Sequence, residues 1–202
     1  MHDSKIQLSS AELALVCDAD IILTKNTIIK KAIGLLEIVR DQVVPERPDA
    51  ADVPLLSVPP KISKGENYLG LPYVVLDFPR VHQAGEMAFI RSMFWWGHFF
   101  SSTLHLSGRY KELSGGRLKH SHAVLAQHGY SIGIHDDPWQ HHFGADNYRE
   151  ISQLSANAYA LILDQQAHIK IAARWTLDEW DKAAAKLYQS WKLLYSVIKG
   201  SL

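Results

Sequence analysis

Cysteine is nearly absent: Cys17 is the only one in 202 residues. No intrachain disulfide can form, which excludes the small secreted scaffolds that cross-links hold together. Long apolar runs are missing as well. No stretch reaches the roughly 18 continuous apolar residues of a membrane helix, and the opening MHDSKIQLSS has no basic start leading into an apolar segment. The expectation is a soluble, cytoplasmic protein with no transmembrane or evident membrane association and no signal peptide. Charge of one sign is also lacking, since 21 Lys and Arg balance 21 Asp and Glu. That balance argues against nonspecific DNA binding and against a polybasic membrane surface.

Motifs that would name a chemistry are absent too. The glycines of SGGR and YSIGIH do not have the G-x-G-x-x-G or G-x-x-x-x-G-K-[ST] spacing, so there is no nucleotide-binding motif. No zinc-finger, EF-hand, H-E-x-x-H or G-x-S-x-G pattern occurs.

What is present is a globular composition, 47% hydrophobic and 21% charged, enough for one substantial core. Residues 1–202 read as a single α+β domain, in which a predominantly antiparallel sheet of mixed composition packs against N-terminal helices and a long C-terminal helix. Ser9 or Ser10 can cap a first helix, and Asn26 or Thr27 a second. Ile29, Ile33, Leu36, Val39 and Val43 recur at steps of three and four and form an apolar stripe that needs a partner surface. Five prolines between Pro45 and Pro60 make residues 45–70 a long loop and the only plausible internal boundary.

LPYVVLDFP reads as a strand ending at Pro79, and AHIKIAAR as another. GRLKHSHAVLAQHG fits a short helix or a strand, and YSIGIH a strand stopped by DDP. WQHHFGADNYRE reads as a loop leading into a helix centred on SANAYALILD. In the last helix, Thr176 and Glu179 offer a capping box, and Leu177, Trp180, Ala184, Leu187, Trp191, Leu194 and Ile198 a broad apolar face.

The densest segment is FIRSMFWWGHFFSSTLHLSG, Phe89 to Gly108. As one long strand or a bent pair, it places Arg91, Met93, Trp95, Phe99, Ser101, Thr103 and His105 on one face and Trp96, His98 and Phe100 on the other. A helix is the rival reading, but Ser-Ser-Thr makes a poor helix interior. Core packing explains the aromatics most simply. The functional alternative is a small-molecule pocket drawing on Arg91, Trp95, Trp96, His98, Phe100, Ser101, Thr103 and His105, with Arg91 able to receive a carboxylate or phosphate. Acid–base chemistry would use His98 or His105 with Glu86 or Asp77 as the orienting carboxylate. Cys17 reads as a small core residue.

Eight of the eleven histidines lie between His98 and His142. If KHSH were a strand, His120 and His122 would share a side. With His135, Asp137 and His141 they would form a candidate divalent-metal site able to activate water or polarise an oxygenated substrate, with Asp136 or Asp146 orienting a ligand. An H-x-H pair is common, so solvent-facing or structurally bonded histidines are the simpler account. Two further readings involve partners. GRYKELSGGRLKHSH is locally basic, but Glu112 interrupts it and nucleic acid is not favoured. Apolar faces on the terminal helices could instead make a non-catalytic homodimer.

Overall fold

The computed structural model describes residues 6–46, 58–83 and 85–199. In the first of these segments, α1 (Ser10–Cys17) and α2 (Ala19–Val43) follow each other directly. Ser9 caps α1 in a reciprocal box: its hydroxyl accepts the Glu12 N–H at 3.3 Å, and its own N–H donates to the Glu12 carboxylate at 2.7 Å. Asp18 caps α2 by accepting the Asp20 N–H at 3.0 Å. Asn26 and Thr27, expected at the start of the second helix, therefore lie inside it. No breaker separates Ala19 from Lys25, and the Thr27 hydroxyl is absorbed by the Leu23 carbonyl at 3.0 Å.

Seven strands form one sheet, β1 (Lys61–Tyr68), β2 (Leu71–Gln83), β3 (Glu86–Trp95), β4 (Phe99–Ser107), β5 (Ser131–Gly133), β6 (Tyr148–Glu150) and β7 (His168–Thr176), in the order β1-β2-β3-β4-β7-β5-β6 with every pairing antiparallel. Strand β1 lies within the segment expected as a loop. Residues 47–57 of that segment lie outside the described residues, but Lys61–Tyr68 carries no proline and pairs with β2 along the sheet edge, with a register shift between Gly65 and Tyr68. Strand β2 likewise continues past Pro79. The register shifts between Asp77 and Arg80, which takes the residue without an N–H out of the ladder. The Phe78 carbonyl beside it accepts the Trp191 indole N–H at 2.6 Å.

The Phe89–Gly108 segment is a hairpin. β3 and β4 pair from Ala88↔Leu106 to Trp95↔Phe99 around a turn in which Gly97 has a positive φ of 73°. The remaining helices are α3 (Arg109–His120), α4 (His122–Gln127), α5 (Ala156–Gln165) and α6 (Trp180–Ile198). KHSH thus falls at a helix–helix junction, with Leu118 and Leu125 anchored in the core. The capping box expected at Thr176 does not form. A 3₁₀ turn at Leu177–Glu179 precedes α6, Thr176 makes no side-chain cap bond, and the Glu179 carboxylate pairs with Lys186. Leu187, Trp191, Leu194 and Ile198 of α6 and the stripe of α2 bury against Phe78, Ile90, Phe94, Phe100 and Leu104 on one sheet face. Each such side chain contributes about 1.5–3 kcal/mol by leaving water. Cys17, expected in the core, is exposed, because α1 buries none of its residues.

Candidate functional site beneath the Trp139 loop

The alternation that turns Phe94, Phe100 and Leu104 toward the helices turns their neighbours the opposite way. Phe89 and Arg91 of β3 lie opposite His105 and Thr103 of β4, Asp77 of β2 opposite Arg91, and Lys170 of β7 opposite His105. Among the described residues, no helix covers this patch. Residues 134–147, between β5 and β6, cross it as a loop with its own internal bonding. The Asp137 carboxylate accepts the Trp139 N–H at 2.9 Å and the Gln140 amide at 2.8 Å. The Asn147 amide donates to the Gln140 and His142 carbonyls at 3.1 and 2.5 Å. The sheet edge holds the loop from outside: the Tyr68 hydroxyl oxygen accepts the N–H groups of His141 at 2.6 Å and His142 at 3.1 Å.

Beneath the loop, Arg91 grips Asp77 with two parallel bonds, Nε–Oδ1 at 2.7 Å and Nη2–Oδ2 at 2.8 Å, the geometry that suits a guanidinium and a carboxylate best. Its remaining nitrogen, Nη1, lies 3.3 Å from His141 Nε2. Since a guanidinium has only donors, that imidazole nitrogen must accept, which fixes a neutral tautomer with its proton on Nδ1. Burial, reinforced by the charges of Arg91 and Lys170, pushes the His141 pKa down to about 3. His105 is pushed further, to about 2, again chiefly by burial and then by His168, Lys170 and Arg91. Both rings are therefore neutral at ordinary pH.

Lys170 is 1% exposed. Its ammonium donates to the Gln140 carbonyl and lies 4.8 Å from the centre of the Tyr148 ring. Burial lowers its pKa to about 8, against a small opposing pull from Asp137, so it remains mostly charged near neutrality. Asp77 neutralises Arg91, while Lys170 has a carbonyl and a ring face in place of a carboxylate. The layer is accordingly short of negative charge.

Among the described residues, His105 Nε2 is buried in this layer without a hydrogen-bond partner, as is Asn147 Oδ1 in the loop. The His105 ring lies 4.7 Å from Phe89 and 5.9 Å from Trp139, and Phe89 and Trp139 stack at 6.2 Å with planes 9° apart. A cleft of about 260 Å³ opens beside this stack, lined among others by Asp77, Arg80, His82, Phe89, Arg91 and Trp139.

The residues named from the sequence divide into several groups. Arg91, Ser101, Thr103 and His105 share this sheet face. Trp95 shares it too, but packs in a separate apolar cluster with Val75, Met93 and Phe99. Phe100 is in the helix-covered core, and Trp96 packs on the edge of that core. His98, expected on the face opposite His105, lies instead in the β3–β4 turn and stacks on Trp95 at 3.6 Å. Strand parity stops at the turn, so it does not govern residue 98. Glu86 pairs with Arg109 at 3.1 Å, and Asp77 serves Arg91 rather than a histidine.

The metal candidates are similarly dispersed. Both KHSH histidines bond nearby or packed carbonyls, His120 Nδ1 to Gly116 at 2.7 Å and His122 Nε2 to Leu154 at 2.8 Å. His135 Nδ1 accepts the Asp137 N–H at 2.9 Å, while His141 faces Arg91. Among the described residues, no group of three or more His, Cys, Asp or Glu is placed to hold a metal ion. The basic residues around KHSH are also engaged, Lys119 with Asp164 at 2.7 Å and Arg117 with the Lys199 carbonyl at 2.7 Å.

Sequence reasoning missed Lys170, Trp139 and Tyr68. For Lys170 the signal existed: HIKIAAR alternates His168, Lys170 and Ala172 with Ile169, Ile171 and Ala173, which already places a histidine and a lysine on one face. Among the described residues, no helix is long and apolar enough to cross a membrane. Comparisons with family profiles, curated proteins and solved structures return no match to this chain, so the chemistry of the site rests on its own residues.

Proposed function

We propose that the protein binds a small organic anion with a planar or aromatic body at the sheet face beneath the Trp139 loop. The observation that carries this reading is the buried, unpartnered His105 Nε2 in a layer that also holds Arg91 and Lys170. A buried polar atom left without a partner costs about 1–3 kcal/mol, and a carboxylate supplies the missing acceptor when Nε2 carries the proton of the neutral ring. The cleft beside Trp139 gives the approach, with Phe89 and Trp139 as the apolar wall and a few directed polar groups fixing orientation. The cleft volume of about 260 Å³ suits a fragment the size of benzoate, and its carboxylate reaches His105 by displacing the Trp139 ring that packs on it. The chemistry assigned to this face is binding: Arg91 lines the cleft, and His105 and Lys170, both buried behind it, are reached when the Trp139 ring moves aside.

The test is a titration with benzoate and with phenyl phosphate, followed by tryptophan fluorescence and by the amide resonances of residues 134–147. Saturable shifts confined to the loop and to β3 and β4 support the reading. Replacing the ion pair jointly, Arg91→Gln with Asp77→Asn, leaves no orphaned charge and weakens binding about tenfold or more. Absence of saturation with both probes, or unchanged affinity in the double variant, overturns it.

A further inference from the structure

The first nineteen described residues, Ile6 to Thr24, form an arm that packs against nothing: every one of them is exposed among the described residues. Yet the sequence gives this arm a capping box at Ser9 and Glu12 and an Asp18 cap, devices that define helix ends. A helix of eight residues is not stable in water by itself, and α1 is apolar on all sides, a pattern that belongs to a buried helix. Leu15, Val16, Ile22 and Leu23 are each more than half exposed. The arm therefore has the composition of an element covered by something else.

The charges point to what covers it. The arm carries Glu12, Asp18 and Asp20 and no lysine or arginine, whereas residues 25–36 carry Lys25, Lys30 and Lys31 and no acid, with Lys25 paired to Glu66. The arm itself carries no basic side chain, and Lys5 and Lys25 stand only at its two ends, whereas a helix that lies on a lipid surface carries lysines and arginines along its polar face. The arm is well suited to the basic segment of an identical chain. Steps of four and three along α2 place Asp20, Thr24, Thr27, Lys31, Gly34 and Ile38 on one stripe. All six have accessible surface, Ile38 is 55% exposed, and a Cβ built at Gly34 meets nothing within 4 Å. Two such stripes packed antiparallel about a two-fold axis near Lys25 set Asp20 against Lys31 and Leu23 against Ile28, and carry each arm toward the partner's Ile38. Ile28 and Lys31 also line an apolar groove of about 500 Å³ with Phe94, Trp96, Leu177 and Trp180. Arm and groove together amount to about 25 residues, within the range of roughly 20–30 per side that a stable interface uses.

We propose that the chain forms a two-fold homodimer in which the outer stripe of α2 packs antiparallel on its counterpart and each N-terminal arm is covered by the partner. The interface is isologous, so one substitution acts twice.

Sedimentation equilibrium of the full chain across a hundredfold dilution tests this. Dimer is expected, and Asp20→Lys or Lys31→Asp alone each weakens it about tenfold or more, because each sets like charges against one another. Combined in one chain, Asp20→Lys/Lys31→Asp restores the attraction and the dimer. Ile38→Asp, at an exposed position that leaves the monomer intact, also dissociates it. A monomer at every concentration, failure of the charge-swapped chain to recover, or a monomer that floats with phosphatidylcholine vesicles overturns the proposal.

Discussion

The two faces of the central sheet are built from the same strands, yet they do opposite things with what they bury. Toward the helices, Phe94, Phe100, Leu104 and Ile171 bury carbon, with Ser92 and Ser102 as small polar exceptions, and the indole nitrogen of Trp191 is satisfied by the Phe78 carbonyl. Toward the loop, the alternate residues Arg91, His105 and Lys170 place cationic and neutral nitrogen groups under a cover of aromatic rings. The first face gains free energy from exclusion of water. The second spends part of that gain holding polar groups in a fixed, poorly solvated arrangement. Two-residue periodicity thus sets the water-excluding layer and the proposed binding layer on opposite sides of the same strands.

The largest test of this division is Phe100→Ala. Phe100 is wholly buried between Phe94 and Trp180, so its truncation should cost about 3–5 kcal/mol in urea denaturation. Where the chain remains folded, benzoate affinity should not change. Loss of affinity at full foldedness would show that the two faces are not independent.

Between pH 7 and 5, acid should act on the histidines of the loop-covered face. The pKa values of His105 and His141 lie below the ordinary value of 6.5, so the folded chain binds fewer protons than the unfolded chain between those values and 6.5. Their contribution is complete above pH 6.5 and is lost as the pH falls, by about 1 kcal/mol per pH unit for each ring. Lys170 has the same sign in a higher window: stability rises between about pH 8 and 10.5 as the unfolded lysine retains the proton the folded one gives up. Urea midpoints measured from pH 7 to 5 should slope accordingly, and the slope should flatten in His105→Gln. A pH-independent midpoint would contradict the neutral, buried state of these rings.

The smallest expected effect has the opposite sign. His105→Phe removes the orphaned nitrogen and keeps an aromatic ring beside Phe89, so it should stabilise the fold by about 1 kcal/mol. It should also abolish benzoate binding. A variant more stable and still fully competent would remove His105 from the site.

Much of this division was legible in the sequence. The parity that unites Arg91, Thr103 and His105 needs only the strand assignment, and the stripe of α2 needs only the helical period. The cover was not legible, because Trp139 and His141 reach the sheet through a loop with no period, held by a tyrosine more than seventy residues earlier. Nor was Asp77 legible as the partner of Arg91, since antiparallel register depends on the hairpin between β2 and β3. His98 failed for a local reason. Gly97 bends the chain by its positive φ, and the residue after a turn no longer inherits the alternation before it. The histidines of KHSH do not share a face for a different reason: Leu118 and Leu125 draw the segment into helices, whose period separates what a strand would have aligned.

The hydroxyl of Tyr68 gives the loop-covered face a hinge point outside the loop itself. Because two successive amides share one phenolic oxygen on an edge strand, the loop cannot unzip residue by residue from that end. Rotation of a single side chain frees both amides together. The other ties between loop and sheet, Arg91 to His141 and Lys170 to Gln140, come from the covered layer beneath, so the loop is held from the rim and from below at neighbouring residues.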